Sequence, residues 1–213
     1  MNILLACSSL NSERIAPAMS GAFESIKGAL FGYPDLIISR EVINRIPYAS
    51  ALLKIGKGSQ GLIILESTNS DSYIWVSKDN VYLKTRHGRI VQTAGLFNNL
   101  TNLTLPNQIF EEVLNDPEAV RDYLSYYSYD QPYLLDLQVE VSIVNKGQQE
   151  IKILGEVKKL ILIEESISNK EIRWTAKNLF WVDPEDHYVW KSIQYISPKL
   201  PSFTLQIVKR PSA

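Results

Sequence analysis

The amino-acid sequence predicts a mostly β protein, a single antiparallel β domain whose curved sheets form a sandwich or a partly open barrel. From about Leu36, short runs rich in β-branched and aromatic residues follow one another along the chain. Many of these runs end in a turn signal such as His87-Gly88 or Ser168-Asn169-Lys170, and such signals favour hairpins. Few helical segments separate the runs, so neighbouring strands are expected to pair directly and antiparallel.

Size and charge narrow the possible classes further. The chain has 213 residues, of which 45% are hydrophobic, and Lys+Arg 22 balance Asp+Glu 23. This length suits one domain with its own core. A net charge of −1 offers no basic footprint for DNA or RNA, and no apolar run approaches the roughly 20 residues that a membrane-spanning helix requires. The single cysteine, Cys7, excludes an internal disulfide.

The amino-terminal sequence Leu4-Leu5-Ala6-Cys7 has the form of a bacterial lipobox, whose cysteine becomes lipidated. The apolar run before the cysteine is shorter than the roughly 7–15 residues of a usual secretory signal, and the alternative is a free or buried cysteine. If Cys7 is lipidated, Ser8-Ser9 lacks the aspartate that retains many such proteins in the inner membrane, which favours the outer membrane. We therefore divide the chain into a residual lipoprotein signal and tether, residues 1–11, and one β-rich periplasmic domain, residues 12–213.

Residues 12–31 predict an amphipathic helix. Its apolar residues recur at spacings of three and four: Ile15, Met19, Ala22, Phe23, Ile26 and Leu30. Such a helix is expected to cover one end of the sheet. The alternative, a helix that lies on a membrane surface, would need more basic residues than Arg14 and Lys27.

The β-rich remainder contains a series of predicted strands. In chain order they are Leu52–Ile55, Leu62–Glu66, Tyr73–Ser77, Val81–Thr85, Ile90–Ala94, Leu134–Val144, Glu150–Leu154, Val157–Ile167, Ile172–Val182, Tyr188–Ile196 and Phe203–Val208. The sequence Asn145-Lys146-Gly147 predicts a hairpin turn. One interruption, Asn107–Leu114, is predicted to be helical, and Asp116-Pro117-Glu118 supplies a cap and a first-turn proline for a second short helix that ends near Leu124.

Motifs that often carry chemistry favour structural roles in this chain. The segment Gly56–Gly61 matches the G-x-G-x-x-G pattern of dinucleotide sites, but a predicted strand follows it instead of the required helix. We therefore expect a hairpin loop there, and another loop at Asp183–Asp186. The two histidines, His87 and His187, show no metal-ligand or triad spacing. We predict no metal, no cofactor and no catalytic residue.

Three aromatic residues form the first candidate ligand-binding group. If Val182 pairs with His187 across the Asp183–Asp186 loop, Trp181, Tyr188 and Trp190 lie on the same face of the sheet. Another part of the fold is expected to cover such a patch. The alternative is a flat aromatic platform on which sugar rings stack.

Two arginines form the second candidate group. With His87-Gly88 as a two-residue turn, Arg86 and Arg89 lie directly opposite each other, and like charges in that position are destabilising. One interpretation is that both side chains extend into water. The alternative is a basic tip that meets an anionic partner, such as an acidic polysaccharide or a lipid headgroup.

Several sequence blocks point to a family when they are taken together and in order. These blocks are Ile46-Pro47-Tyr48-Ala49-Ser50, Trp75–Leu96 with its segment Gly88-Arg89-Ile90-Val91-Gln92-Thr93-Ala94-Gly95-Leu96, Arg173-Trp174, Phe180-Trp181-Val182-Asp183 and Gln194-Tyr195. In combination they resemble the group 4 capsule polysaccharide lipoproteins of the YjbF/GfcB type. The resemblance implies an outer-membrane lipoprotein with a mostly antiparallel β domain in the periplasm, which serves exopolysaccharide or capsule production and secretion. It also supports lipidation of Cys7, and it brings no established active site.

We therefore expect a non-enzymatic accessory lipoprotein of exopolysaccharide or capsule export. It is held at the membrane by its lipid anchor, and its partner is either the polymer, such as an anionic polysaccharide, or an outer-membrane or periplasmic secretion protein. The first alternative is a carrier or chaperone for a lipidic or hydrophobic ligand, since a curved antiparallel sheet can enclose an apolar cavity. A glycan-modifying enzyme is the weaker alternative, because a hydrolase needs two carboxylates that face one cleft.

Overall fold

The structure is a computed structural model that describes residues 35–69, 71–106 and 109–211. Cys7 and the predicted helix at residues 12–31 lie outside the described residues. In chain order the elements are α1 (Arg40–Arg45), β1 (Ser50–Ile55), β2 (Gly61–Asn69), β3 (Ser72–Ser77), β4 (Tyr82–Arg86), β5 (Arg89–Ala94), β6 (Leu100–Thr104), α2 (Ile109–Asn115), β7 (Arg121–Asp130), β8 (Tyr133–Ile153), β9 (Glu156–Asn169), β10 (Trp174–Val182), β11 (Val189–Gln194) and β12 (Phe203–Lys209). In this part of the chain, neither helix is long and apolar enough to span a membrane.

All of these strands belong to one antiparallel sheet, with the order β5-β4-β3-β2-β1-β12-β11-β10-β9-β8-β7-β6. The sheet curls until its two edge strands, β5 and β6, lie against each other. A side chain bridges this seam, since the Leu100 backbone N–H donates to the Thr93 hydroxyl over 2.9 Å. The sheet is therefore a nearly closed barrel, which confirms the predicted fold class.

Large side chains fill the interior between the two sides of the curled sheet. Trp75 and Phe203 are fully buried, and Tyr127 packs edge-on against Trp174 with 5.6 Å between ring centroids. Two buried rings also form hydrogen bonds: the Trp75 indole N–H donates to the Thr85 hydroxyl over 3.0 Å, and the Tyr129 hydroxyl donates to the Ile196 carbonyl over 2.9 Å. Burial raises the pKa of the Tyr129 hydroxyl. These contacts account for a packed core of alternating inward side chains.

A long hairpin, β8–β9, extends from the sheet and folds against its outer surface. Near its tip, Ile153 packs with Leu52 of β1, Val208 of β12 and Ile43 of α1 in one buried cluster. The Arg40 guanidinium ties the same elements together by donating to the carbonyls of Val208 (2.6 Å) and Ile153 (3.2 Å). Helix α1 therefore holds the β8–β9 hairpin against the barrel wall.

Two local predictions are wrong. No helix runs from Asp116 to Leu124; the chain turns there, and β7 begins at Arg121. Asn145-Lys146-Gly147 is not a hairpin turn but an irregularity within β8, where the pairing with β9 shifts between Asn145 and Gln148. The actual turn is Leu154-Gly155, where both residues have positive φ (49° and 87°), as the tight two-residue hairpin turns require.

Other predictions of loops are confirmed. The glycine-rich segment Gly56–Gly61 connects β1 to β2, and Gly61 begins a strand and not a helix. The Asp183–Asp186 segment likewise connects β10 to β11. The predicted helix at Asn107–Leu114 corresponds to α2, whereas α1, β6 and β7 were not predicted.

The turn at Gly88 provides a test of how the β4–β5 hairpin docks. Gly88→Ala is expected to lower the free energy of unfolding by about 1–3 kcal/mol more than Gly147→Ala does. Both glycines have positive φ (76° and 85°), so alanine strains both backbones. A Cβ at Gly88 would lie 2.3 Å from the Cβ of Val189, whereas one at Gly147 would meet nothing within 4 Å. Denaturant unfolding followed by tryptophan fluorescence measures the difference, and equal losses would contradict the docking.

Candidate functional site

Two hairpin turns that are distant in sequence meet at one place on the barrel. The β4–β5 turn packs on β11, where the Ile90 backbone N–H donates to the Gln194 side chain over 2.9 Å. The Gln194 amide in turn donates to the Gly88 carbonyl over 2.9 Å. These bonds hold the β4–β5 turn beside the loop between β10 and β11.

Two neighbouring cavities lie where these turns meet, and we call them together the cleft. The larger has a volume of about 380 Å³ and the smaller about 180 Å³. Asp71, His87 and His187 line both of them. The chain has two histidines in all, and both therefore line the cleft. Each has a left-handed backbone conformation, with φ of 47° at His87 and 58° at His187.

Arg86, the first of the two predicted basic residues, lines the larger cavity. The structure confirms that it pairs directly opposite Arg89 across the β4–β5 hairpin. Its Nε lies 2.9 Å from a carboxylate oxygen of Asp71, and both side chains remain exposed. Arg86 therefore forms an exposed ion pair with Asp71 at the mouth of the cleft.

Arg89 occupies a different environment from the one expected. The prediction that its side chain extends into water or forms a basic tip is wrong, because only 5% of the residue is exposed. Its guanidinium lies between the rings of Phe110 (4.5 Å to the centroid) and Phe180 (4.7 Å), and it forms an ion pair with Glu165. Burial by itself would lower the pKa of Arg89, but Glu165 together with Tyr123 and Tyr127 outweighs it, and the pKa is raised overall. Like charges at the turn are tolerated because one of them turns inward to a partner.

Glu165 is the most buried charged group described, with 1% exposure, and both of its carboxylate oxygens accept hydrogen bonds. Besides Arg89, the Tyr123 hydroxyl and the Asn178 amide donate to it, each over 2.8 Å. Burial raises the pKa of the Tyr123 hydroxyl, which keeps it a donor. One Arg89 nitrogen, Nη2, has no hydrogen-bond acceptor among the described residues. Arg89 also lines the larger cavity of the cleft, whereas Glu165 does not.

The three predicted aromatic residues do not form one exposed platform. The proposed pairing of Val182 with His187 is wrong, since Val182 pairs with Val189 and a bulge separates it from Trp181. Trp181 is 8% exposed and packs with Leu160 and Leu162 of β9. Another part of the fold therefore covers it, as the simpler interpretation expected.

Tyr188 and Trp190 remain together but are flanked by cations. Their rings meet edge-on with centroids 5.4 Å apart. Lys158 lies 3.8 Å from the Trp190 centroid, and Arg210 lies 4.0 Å from that of Tyr188. Trp190 also donates its indole N–H to Asp183 over 3.1 Å. Of the three aromatic candidates, Tyr188 is the one that lines the cleft, in its smaller cavity.

The burial of Glu165 was not predicted, although the sequence of β9 contains a pattern that indicates it. Within β9, Ile163, Glu165 and Ile167 occupy alternate positions, and all three are buried. A carboxylate on an apolar face at period two needs a buried partner.

Within the described ranges, no group of three or more His, Cys, Asp or Glu side chains is placed to hold a metal ion.

The buried ion pair provides a second test of stability. Arg89→Met is expected to lower the free energy of unfolding by about 3–5 kcal/mol, because it leaves the Glu165 carboxylate buried without its cation. The matched control Arg86→Met removes an exposed ion pair and is expected to cost less than about 1 kcal/mol. The double variant Arg89→Met with Glu165→Leu should be more stable than Arg89→Met alone. Denaturant unfolding of the three variants measures this, and a double variant that gains nothing would contradict the assignment.

Comparisons with known proteins identify the family. The family described as group 4 capsule polysaccharide lipoprotein (GfcB, YjbF) matches residues 23–208. The uncharacterized lipoprotein YjbF of Escherichia coli K12 is 25% identical over 199 residues, covering 91% of this chain and 87% of that protein. The uncharacterized lipoprotein GfcB of the same strain is 24% identical over 178 residues, covering 81% of each.

A solved structure has the same fold. The crystal structure of the hypothetical lipoprotein YmcC from Escherichia coli K12 superposes with a TM-score of 0.73 at 19% identity, covering 89% of this chain and 96% of that chain. The likeness extends over nearly the whole barrel. With the family match over most of its length, the chain belongs to the group 4 capsule polysaccharide lipoprotein family.

Proposed function

We propose that this protein is a non-enzymatic accessory factor in exopolysaccharide or capsule production and secretion, and that it binds the polymer in the cleft. The family to which the chain belongs is that of the group 4 capsule polysaccharide lipoproteins. The observation that carries the proposal is the composition of the cleft, which combines hydrogen-bonding groups with apolar walls. Polysaccharides present both hydroxyl groups and apolar C–H faces, so this composition matches their chemistry.

The two cavities differ in the kind of apolar wall they offer. The larger is bounded by Leu105, Ile109 and Phe110 near α2. The smaller is bounded by the aromatic residues Tyr73 and Tyr188. Pockets for small ligands are usually mostly apolar, with a few polar groups that fix the orientation of the ligand. A saccharide unit in the cleft would find polar groups at the mouth and apolar surface behind them.

The carboxylates favour binding over hydrolysis. A glycosidase needs two carboxyl groups in one cleft, one of which is kept protonated by its environment. Asp71 and Glu111 line the larger cavity, but both are exposed and Asp71 is paired with Arg86. The buried carboxylate, Glu165, is occupied by its own donors. We therefore propose a binding role without chemistry.

A carrier for a lipidic or hydrophobic ligand is the second candidate function. An open groove of about 800 Å³ crosses β7, β8, β9 and β10, and Leu124 is exposed there. Its walls also carry Asp122, Glu140 and Lys177. These charged side chains suit an apolar ligand less well than the cleft suits a saccharide.

The lipid anchor is part of the same proposal. We infer that Cys7 carries the lipid and that the folded domain faces the periplasm from the outer membrane, because the family is one of lipoproteins and Leu4-Leu5-Ala6-Cys7 has the lipobox pattern. Several acyl chains together make a stable anchor. The polymer would then meet the cleft on its way out of the cell.

Palmitate labelling tests the anchor. Cells that express the protein are expected to label it with palmitate, and Cys7→Ser is expected to remove the label because Cys7 is the single cysteine of the sequence. Membrane fractionation should show Cys7→Ser released from the outer-membrane fraction. Label that persists in the variant would show that another group carries the lipid.

Deletion of the gene tests the role in export. Loss of the protein is expected to reduce surface polysaccharide and biofilm several-fold, and expression of the wild type should restore both.

A polymer purified from the producing cells should also bind the isolated protein, as measured by titration calorimetry. Unchanged surface polysaccharide in the deletion strain would overturn the accessory role, and absence of binding would overturn the proposed ligand.

A further inference from the structure

The charged groups that line the cleft cancel almost completely. In the larger cavity, Arg86 and Arg89 are matched by Asp71 and Glu111. Each arginine also has its own carboxylate, Asp71 for Arg86 and the buried Glu165 for Arg89. An acidic ligand would therefore add negative charge to a site whose positive charges are already paired.

The smaller cavity has no excess of positive charge, because Asp71 and Asp186 line it together with one cation, Lys191. Asp186 is bound by Arg210 over 2.6 Å, and Lys191 lies 5.0 Å from the Trp181 ring centroid. Neither cavity thus presents the unpaired cluster of Arg and Lys side chains that recognition of a polyanion requires.

Arg89 lines the larger cavity but does not attract a second negative charge. It is buried, and Glu165 already compensates its guanidinium charge. The arginine therefore gives an acidic group of a ligand no unpaired cation to bind.

The histidines match the same kind of ligand. A neutral imidazole carries one donor and one acceptor nitrogen, as a hydroxyl group both donates and accepts. His87 and His187 are exposed side chains on two different turns, and they line both cavities. They therefore stand where a polymer that runs through the cleft would pass.

We propose that the cleft binds an uncharged sugar unit of the polymer. This inference rests on the proposed function and names the chemistry of its ligand. The sugar ring lies against the apolar walls, its oxygens meet His87 and His187, and any acidic substituent of the polymer stays outside. With Arg86 paired to Asp71 and Arg89 paired to Glu165, the charges at the turn no longer favour an anionic polymer as the ligand of this site.

Carboxyl reduction of the polymer tests the chemistry of the ligand. Polysaccharide purified from the producing cells is titrated into the protein before and after its carboxyl groups are reduced to alcohols. The dissociation constant is expected to agree within about twofold between the two forms. It should also change less than about threefold between 0.05 and 0.5 M NaCl, because no net charge is neutralised on binding.

Backbone-compatible variants test the site. His87→Asn and His187→Asn remove the imidazoles, while asparagine accepts the left-handed backbone at both positions. Each is expected to raise the dissociation constant at least tenfold. The matched control is Arg173→Asn, an exposed residue with φ of 53° in the turn before β10; it should bind like the wild type. Thermal unfolding of all three variants verifies that they remain folded.

The outcomes separate this inference from the proposed function. If the untreated polymer binds and the reduced polymer binds at least tenfold more weakly, the uncharged-sugar inference is overturned and the proposed function stands. Binding that both histidine variants leave unchanged would also overturn the inference. If neither form of the polymer binds, the proposed function itself fails.

Discussion

The ion pair between Arg89 and Glu165 is the interaction on which the barrel depends. Arg89 begins β5, one edge of the sheet, whereas Glu165 lies in β9, near the opposite edge. Tyr123 of β7 and Asn178 of β10 complete the coordination of the carboxylate. A buried charge is costly without its partner, so the sheet must curl until its two halves meet. The pair therefore selects the closed arrangement over an open sheet.

Closure of the barrel in turn creates the cleft. The β4–β5 turn reaches β11 only because the sheet is curled, and Gln194 then binds the backbone of that turn. The two histidines come from turns that are a hundred positions apart in sequence. The same closure that buries Arg89 thus brings together the groups at the mouth of the cleft.

Local sequence patterns predicted the strands and turns well but not their long-range pairing. Alternation and turn residues are local properties, so most strands and the His87-Gly88 turn are where the sequence placed them. The β8–β9 hairpin was misjudged because a glycine after Asn145-Lys146 marks a bulge as readily as a turn. For the site, Arg86 and Tyr188 line the cleft and their roles in ligand binding stay predictions, whereas the burial of Arg89 depends on a partner in β9. Only the folded topology supplies that partner.

The docking of the β4–β5 turn couples ligand binding in the cleft to the stability of the barrel. Because the cleft exists only in the closed barrel, a molecule bound there adds its binding free energy to the stability of the whole sheet. Opening of the seam between β5 and β6 must release that molecule, and an occupied cleft must slow exchange of the amide protons along the seam. Ligand binding and closure of the barrel are thus thermodynamically coupled. A chain whose barrel has opened therefore does not retain a ligand in the cleft.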